Sequence, residues 1–445
     1  MQREELKKKL CESVDRRREQ IISIGEQIMN NPELGFKEFN TAKLVAETLG
    51  QLGIPYQEGL AITGVKGILK CAKPGPTLAL MGELDGLVVF DHPLANKETG
   101  AAHACGHNAQ IAGLMGAAMA MVDTNAAELL SGNVVFFAVP AEEYVEVEYR
   151  VNLVKEGKLE FLGGKPELVQ LGYLDDVDLA MLIHTSARPG DRLAGIADSS
   201  NGCVVKLIRF IGRAAHAGGA PDKGINALNA ALLAMSAIHA QRETFRDDDT
   251  IRVHPIITHG GDLVNVVPAD VRMETYVRGK TTEAIQDANM KVDRALRAGA
   301  MAVGAKVEIQ TLPGYMPQIN NFDMAELFKN NVTSLIGSDQ FAQGGHRTGS
   351  TDMGDICHIM PAIHPYIGGA EGSGHSADWR IVDPDMAYVT PAKVLAMTAV
   401  DLLYDNAQKA KEILDKSKPR MTKEEYLQYQ RNTFRTELFE WKEGK

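Results

Sequence analysis

The stretch His103-Ala104-Cys105-Gly106-His107-Asn108 sets a thiol and an imidazole two positions apart, with a glycine between them. Cys and His are the side chains that hold zinc most readily, and a glycine lets the backbone turn so that both can face one ion. Residues 110–121 then read as a helix rich in Ala, Gly and Met. The pair therefore sits on a loop feeding a helix N-terminus, where the positive end of the helix dipole favours a thiolate. A Cys-x-His also arises by chance in a chain of 445 residues. The reading stands only if other segments supply further ligands, a base and a substrate pocket.

Those segments lie on both sides. The apolar run 77–81 reads as a buried strand that ends at Glu83 and Asp85. The run 133–139 repeats the layout and ends in Pro140-Ala141-Glu142-Glu143, and the run 179–183 ends in His184. Ligands of open α/β sheets bind at the carboxyl ends of the strands. Strands also end in polar residues simply because they meet water, but that explains any one case better than it explains Glu-Glu, His and Asp together. Before the first strand, residues 4–29 read as a helix with Ile21, Ile24 and Ile28 as its buried stripe, ended by Pro32 and Gly35, and residues 41–52 as a second amphipathic helix stopped at Gly53.

From about residue 200 the pattern changes to strand 204–211, helix 226–240, strands 250–258 and 271–277, helix 282–298 and strand 306–311. That β-α-β-β-α-β order is a ferredoxin-like unit. The expected fold class is therefore α/β: a mixed-sheet α/β/α catalytic domain over 1–199 and 313–445, interrupted by the inserted unit over 200–312. After the insertion, Ser350 to Asp355, the apolar run 360–367 and the segment 368–379 with His375 read as further active-site loop. Residues 409–441 read as one or two helices around Pro419, so that about 408–445 forms a charged helical tail.

Composition narrows the function. A net charge of −11 disfavours nucleic acid, which calls for clustered Lys and Arg. Five scattered cysteines give no disulfide framework. The N-terminal residues carry charges of both signs and no signal or transit pattern, and no apolar run is long enough for a bilayer, so a cytoplasmic protein is expected.

The candidate ligands are Cys105, His107, Glu143, His184 and His375. One zinc takes three or four protein ligands, so five of mixed S, N and O type fit two divalent ions, zinc or manganese. Adjacent Glu142 and Glu143 suggest that one binds metal while the other stays free as general base. Asp85 is expected to orient a ligand imidazole and fix its tautomer. His103 is read as structural, and His92, His239, His254, His259, His346, His358 and His364 as ordinary histidines.

At this point the residues resemble a known family. His103 to His107, Pro140 to Glu143, His184 and His375 are similar to the metal motifs of the M20 family of metallopeptidases and amidohydrolases, in the branch with a cysteine ligand that includes aminobenzoyl-glutamate hydrolase. Asn31 to Phe36 resembles the family's N-terminal segment. Gly212 to Ala217, Gly224 to Ala227, Asn265 to Pro268 and Arg278 resemble its lid, or dimerisation, domain.

The resemblance implies a dinuclear amidohydrolase acting on N-acyl amino acids, with a β-alanyl-dipeptide type of metallo-dipeptidase as the alternative. Glu143 would be the ligand and Glu142 the base, Cys105 a bridging ligand, and His216 the group that stabilises the oxyanion. Asn265 and Arg278 would hold the substrate's carboxylate, and the chain would form a homodimer through the lid. Asn108, Gln110 and Glu83 depart from the auxin-amide branch, which has Asp, His and Asp there. These departures point away from an auxin-type substrate and toward the aminobenzoyl-glutamate or β-alanyl-dipeptidase-like branch. A catalytically inert binding protein of the same fold is disfavoured because Glu142 is present.

Overall fold

The computed structural model describes residues 1–187 and 192–441. Its chain forms two compact units, one of residues 1–198, 319–345 and 355–422, the other of 199–318, 346–354 and 423–445. Residues 442–445, the end of the expected tail, lie outside the described residues.

The first unit is built on a six-stranded mixed sheet. The strands run in the order Tyr56–Leu60, Gly64–Lys70, Ser131–Val139, Lys73–Glu83, Leu179–Leu182, Ala362–Ile363. The last four are parallel to one another, and the first two are antiparallel to their neighbours. All three central strands expected from apolar runs exist: the first two are longer than their runs, and the third is one residue shorter, Leu179–Leu182. Lys73–Glu83 begins with exposed residues and becomes fully buried from Pro76 onward. Glu83 pairs with Val139, and Met81 with Leu182, so the three strands end nearly level. That register carries Glu83, Glu142, Glu143 and His184 to one end of the sheet.

Helix His107–Asp123 is buried along its length to Met121, which explains its Ala/Gly/Met composition: it has no solvent face to mark with charge. A Cβ at Gly116 would stand 2.7 Å from Ala392 Cβ and 2.8 Å from Ile21 Cδ1, so this position lets the neighbouring helices approach closely. The N-terminal stretch read as one helix is two, Arg3–Arg16 and Arg18–Met29, with a break at Arg17. The Arg17 guanidinium pairs there with Asp123, 2.8 Å away. Contrary to the expectation that no stretch is long enough for a bilayer, helix Thr390–Lys416 with the π-helical turn Asp385–Val389 before it is long and apolar enough to cross a membrane, although it kinks at Tyr404–Ala407. In its most apolar window 83% is buried inside the protein, as in a core helix.

The second unit is an antiparallel sheet in the order Arg252–Val253, Asp270–Gly279, Gly202–Ile211, Lys306–Pro313, Arg435–Glu440, with Ile256–His259 also on Asp270–Gly279. Helices Ala227–Ala240 and Thr282–Ala302 share its core through Ala230, Ala234, Val292 and Leu296. Each starts with a side-chain cap: Asn226 accepts from the Asn229 amide, and Thr281 from that of Ala284.

The C-terminal segment differs from a charged helical tail. After helix Lys423–Thr433 it becomes a strand, Arg435–Glu440, on the edge of this second sheet. The charges that suggested a solvated helix are instead paired with the neighbouring strand and with helix Thr282–Ala302. Glu437 takes a bidentate contact from Arg297, and Lys306 lies 3.0 Å from one oxygen of Glu440, while Arg435 reaches the buried Asp293.

Candidate metal centre

Gly106 stands at φ 92°, the left-handed conformation that caps helix His107–Asp123. It turns the chain so that Cys105 precedes the helix and His107 opens it. Nδ1 of His107 lies 2.7 Å from the backbone oxygen of Asp85. A carbonyl only accepts, so Nδ1 carries a proton and Nε2 is the nitrogen available to a cation. Nδ1 of His184 is fixed in the same way, 2.7 Å from the Thr185 oxygen, and its Nε2 lies 3.4 Å from Cys105 Sγ.

Asp85 thus meets the imidazole most closely through its backbone oxygen, with carboxylate Oδ1 farther off at 3.4 Å from Nδ1. The carboxylate does something else: its two oxygens accept the amides of Glu142 at 3.1 Å and Glu143 at 2.8 Å. The turn it holds is strained, since Ala141 sits at φ 52°. Arg150, fully buried, braces the same turn by donating to the backbone oxygens of Glu143 and Leu162. His375 comes from a second left-handed position, φ 64°, and its amide donates to the Ala104 oxygen at 2.9 Å.

The donor atoms gather into three overlapping groups, each with its atoms within 4.8 Å of one another: Cys105, His107 and His184; Cys105, Glu143 and His375; and Glu83, His107 and Glu142. All five expected ligands, with Glu142 and Asp85, come together at one end of the first unit's sheet. The chemistry of the set fits divalent cations. Nε2 of His107 and Oε1 of Glu143 are buried and make no well-aligned hydrogen bond among the described residues; they face Glu83 Oε2 at 3.1 Å and His375 Nε2 at 3.2 Å, contacts that a cation between them would replace.

Electrostatics point the same way. Burial and Glu143 push the Cys105 thiol up, but His184 and His107 pull harder, and it ends lowered to about 6. Burial likewise pushes Glu143 up, and His375 and His107 bring it down to about 2. Glu143 and Cys105 raise His375 to about 11, although 55% of its side chain is open to water. Burial lowers His107, but Glu83 and Cys105 raise it well above the usual imidazole range. So concentrated a negative charge suits a divalent ion, which competes with protons for the same atoms.

Some residues of this centre were missed in the sequence. Glu83, a strand-end residue and a departure from its branch in the sequence but not among the expected ligands, has its Oε2 3.1 Å from His107 Nε2. Gln110 donates to the same Oε2 at 2.8 Å, and the other oxygen, Oε1, meets Lys165 at 2.6 Å. His364, read as ordinary, stacks edge-on against His184 at 5.5 Å. Lys165 and Arg150 carry no sequence signal of their own; only the fold brings them in.

His216, Asn265 and Arg278 belong to the second unit. Nδ1 of the exposed His216 accepts from the amides of Gly218 and Gly219, and His216 bridges Val266, one residue from Asn265. Arg278 lies on strand Asp270–Gly279 opposite Cys203, its guanidinium 5.1 Å from the centre of the Tyr276 ring.

The chain is similar to known proteins over most of its length. Residues 79–399 match the model of Peptidase family M20/M25/M40. The chain is 29% identical over 319 residues to the Xaa-Arg dipeptidase of Mus musculus, covering 68% of each. It is 30% identical over 380 residues to thermostable carboxypeptidase 2 of Saccharolobus solfataricus, covering 82% of this chain and 89% of that one. Among solved structures, the aminobenzoyl-glutamate utilization protein of Klebsiella pneumoniae superposes with a TM-score of 0.66 at 20% identity, over 88% of this chain and 98% of its own. The YXEP protein of Bacillus subtilis, described as a dinuclear metal binding peptidase, superposes with a TM-score of 0.63 at 22% identity, over 87% and 99%.

Proposed function

The chain belongs to peptidase family M20/M25/M40 and is a metal-dependent hydrolase of amide bonds in small molecules, and from that premise we propose that it cleaves N-acyl amino acids of the aminobenzoyl-glutamate type at a centre of two divalent ions, zinc or manganese. The observation that carries this reading is the convergence of Cys105, His107, Glu143, His184 and His375 beside Glu142.

Bound cations supply Lewis acidity, acidifying water and polarising the scissile carbonyl. The protein's own part falls to a few side chains. Glu142 takes a proton from the water whose oxygen attacks the carbonyl carbon. When the C–N bond breaks, Glu142 returns that proton to the leaving nitrogen, so atoms and charge balance across the step. Asp85 keeps Glu142 aimed by gripping its amide. Arg278 and Asn265 bind the free carboxylate of the substrate, a task suited to the forked guanidinium. His216 stabilises the developing oxyanion, and the chain acts as a homodimer through its second unit.

A second reading is a dipeptidase, favoured by the named activity of the mouse relative, 29% identical over 319 residues. The readings share a free carboxylate on the leaving amino acid and differ at the other end, where a dipeptide carries an amine. Metal analysis with a panel of N-acyl-glutamates and dipeptides tests both. Turnover of the first group alone supports the main reading and of the second the alternative; no turnover by metal-loaded protein sinks both.

A further inference from the structure

Glu83 and Lys165 form an ion pair at 2.6 Å with side chains 1% and 0% exposed. Taking both charges out of water is costly, and replacing such a pair with apolar residues is often neutral or stabilising. A stability role is therefore a weak reason for this pair to exist. Its position offers a better one. Glu83 Oε1 faces Lys165, while Oε2 faces His107 Nε2 at 3.1 Å and accepts from Gln110 at 2.8 Å. The same carboxylate that belongs to the Glu83, His107 and Glu142 group is thus already opposed by a positive charge on its other side. Among the described residues no such pairing to lysine is seen for Glu143, which faces His375 at 3.2 Å at the other end of the centre.

We propose that Lys165 is a fixed cation built into the metal centre. By neutralising Glu83 it weakens the hold of the His107 end on a divalent ion, so that the Cys105–Glu143–His375 end fills first and the His107 end second. Lys165 is a positioning residue in this account. It acts on the ion by its charge: it holds one oxygen of Glu83 away from the cation, lowers the charge the other presents, and repels a cation at the His107 end directly. The inference rests on the reading of this cluster as a two-ion site. Unequal filling would leave one ion permanently in place and the other exchanging with the medium.

The test titrates chelator-treated protein with zinc and with manganese in a calorimeter, and records the metal-induced rise in Tm alongside. The native chain is expected to bind in two steps of different affinity. Lys165→Met should tighten the weaker step by about tenfold or more, since an opposite charge within a few ångströms changes the balance at an ionisable group by that order. It should leave the tighter step in place, and the Tm of the metal-loaded variant should gain more over its chelated form than that of the native chain does. A purely structural lysine would lower both Tm values equally and leave both affinities as they were, and that result overturns the proposal. If Lys165→Met does not fold, the comparison moves to Glu83→Gln against Glu83→Gln/Lys165→Met, whose double form buries neither charge. Tighter second-step binding in the double variant is expected, and equal binding overturns the idea. Absence of any metal binding by the native chain would sink the two-ion reading itself, whereas two equal steps untouched by Lys165 would sink this inference alone.

Discussion

Sγ of Cys105 lies 3.4 Å from Nε2 of His184, although 79 residues of chain separate them. Two parallel strands ending level and a helix turned by one glycine bring them there. Because Cys105 belongs to two of the three donor groups, its loss should empty both ends of the centre. Cys105→Ala is expected to lower zinc affinity by about a hundredfold or more, exceeding the cost of losing an outer-shell partner. Metal content after dialysis measures this, and full occupancy would remove Cys105 from the ligand set.

Glu142 should behave in the opposite way. Its Oε2 stands 3.9 Å from His107 Nε2, next to the cluster. Glu142→Gln keeps the shape and removes the base, so metal content should stay near that of the native chain while kcat falls by about 10²- to 10⁴-fold. Near-native kcat at full metal loading would take the base assignment away from this residue.

Much of this centre was legible because its ligands sit at places the sequence marks. Apolar runs announce buried strands, and polar residues at their ends announce the crevice; Glu142, Glu143 and His184 were found in that way. His375 was found by its small, glycine-rich surroundings, which the positive φ at that residue explains. Lys165 was invisible because nothing local distinguishes a lysine bound for the interior from one bound for water. Its burial is decided by Glu83, 82 residues away. The strand Arg435–Glu440 was misread for a related reason. Its charges alternate with polar and apolar residues and find partners only on strand Lys306–Pro313 and helix Thr282–Ala302, which a single segment does not reveal.

The substrate's carboxylate gives a test confined to the second unit. Arg278 is partly exposed on its strand and stacks on Tyr276. Arg278→Ala should raise KM for substrates with a free carboxylate by roughly tenfold to a hundredfold, the worth of a charge-assisted hydrogen bond, and leave kcat nearly constant. Amidated substrates, lacking that charge, should be nearly indifferent. An unchanged KM for the free acids would remove this role.

Glu38 makes stability depend on pH. Its oxygens accept from the Ala141 amide at 2.8 Å and the Thr63 hydroxyl at 2.6 Å, but burial, and the nearby Asp85, push its carboxyl up to about 7 from 4.5. A raised carboxyl means that the folded chain binds the extra proton between those two values. Stability from this group is therefore full below about pH 4.5 and is lost as pH rises to about 7, by up to roughly 3 kcal/mol. Glu38→Gln preserves both contacts, with the amide oxygen accepting from Ala141 and the amide nitrogen donating to Thr63. Denaturant unfolding at pH 5 and pH 7.5 should show the variant gaining on the native chain at the higher pH. An equal difference at both values would show that Glu38 does not titrate in this range.

Asp85 separates two tasks that a single catalytic label would merge. Its backbone oxygen fixes His107, and its side chain grips the amides of Glu142 and Glu143. Asp85→Asn leaves the first untouched, since the backbone carbonyl is still there. It damages the second, because an amide has one oxygen to accept with and turns an NH₂ toward the other N–H, setting donor against donor. The strained turn at Ala141 then loses one of its restraints, and Glu142 moves with it. The expected outcome is zinc affinity within about threefold of native with kcat reduced by about tenfold to a thousandfold, since small displacements of a reacting group are that expensive. Asp85→Ala, which removes both acceptors, should lower kcat further and begin to cost metal through Glu143. If Asp85→Asn instead lost metal first and kept kcat in its loaded fraction, the carboxylate would be acting on His107 after all, across the 3.4 Å that separates Oδ1 from Nδ1.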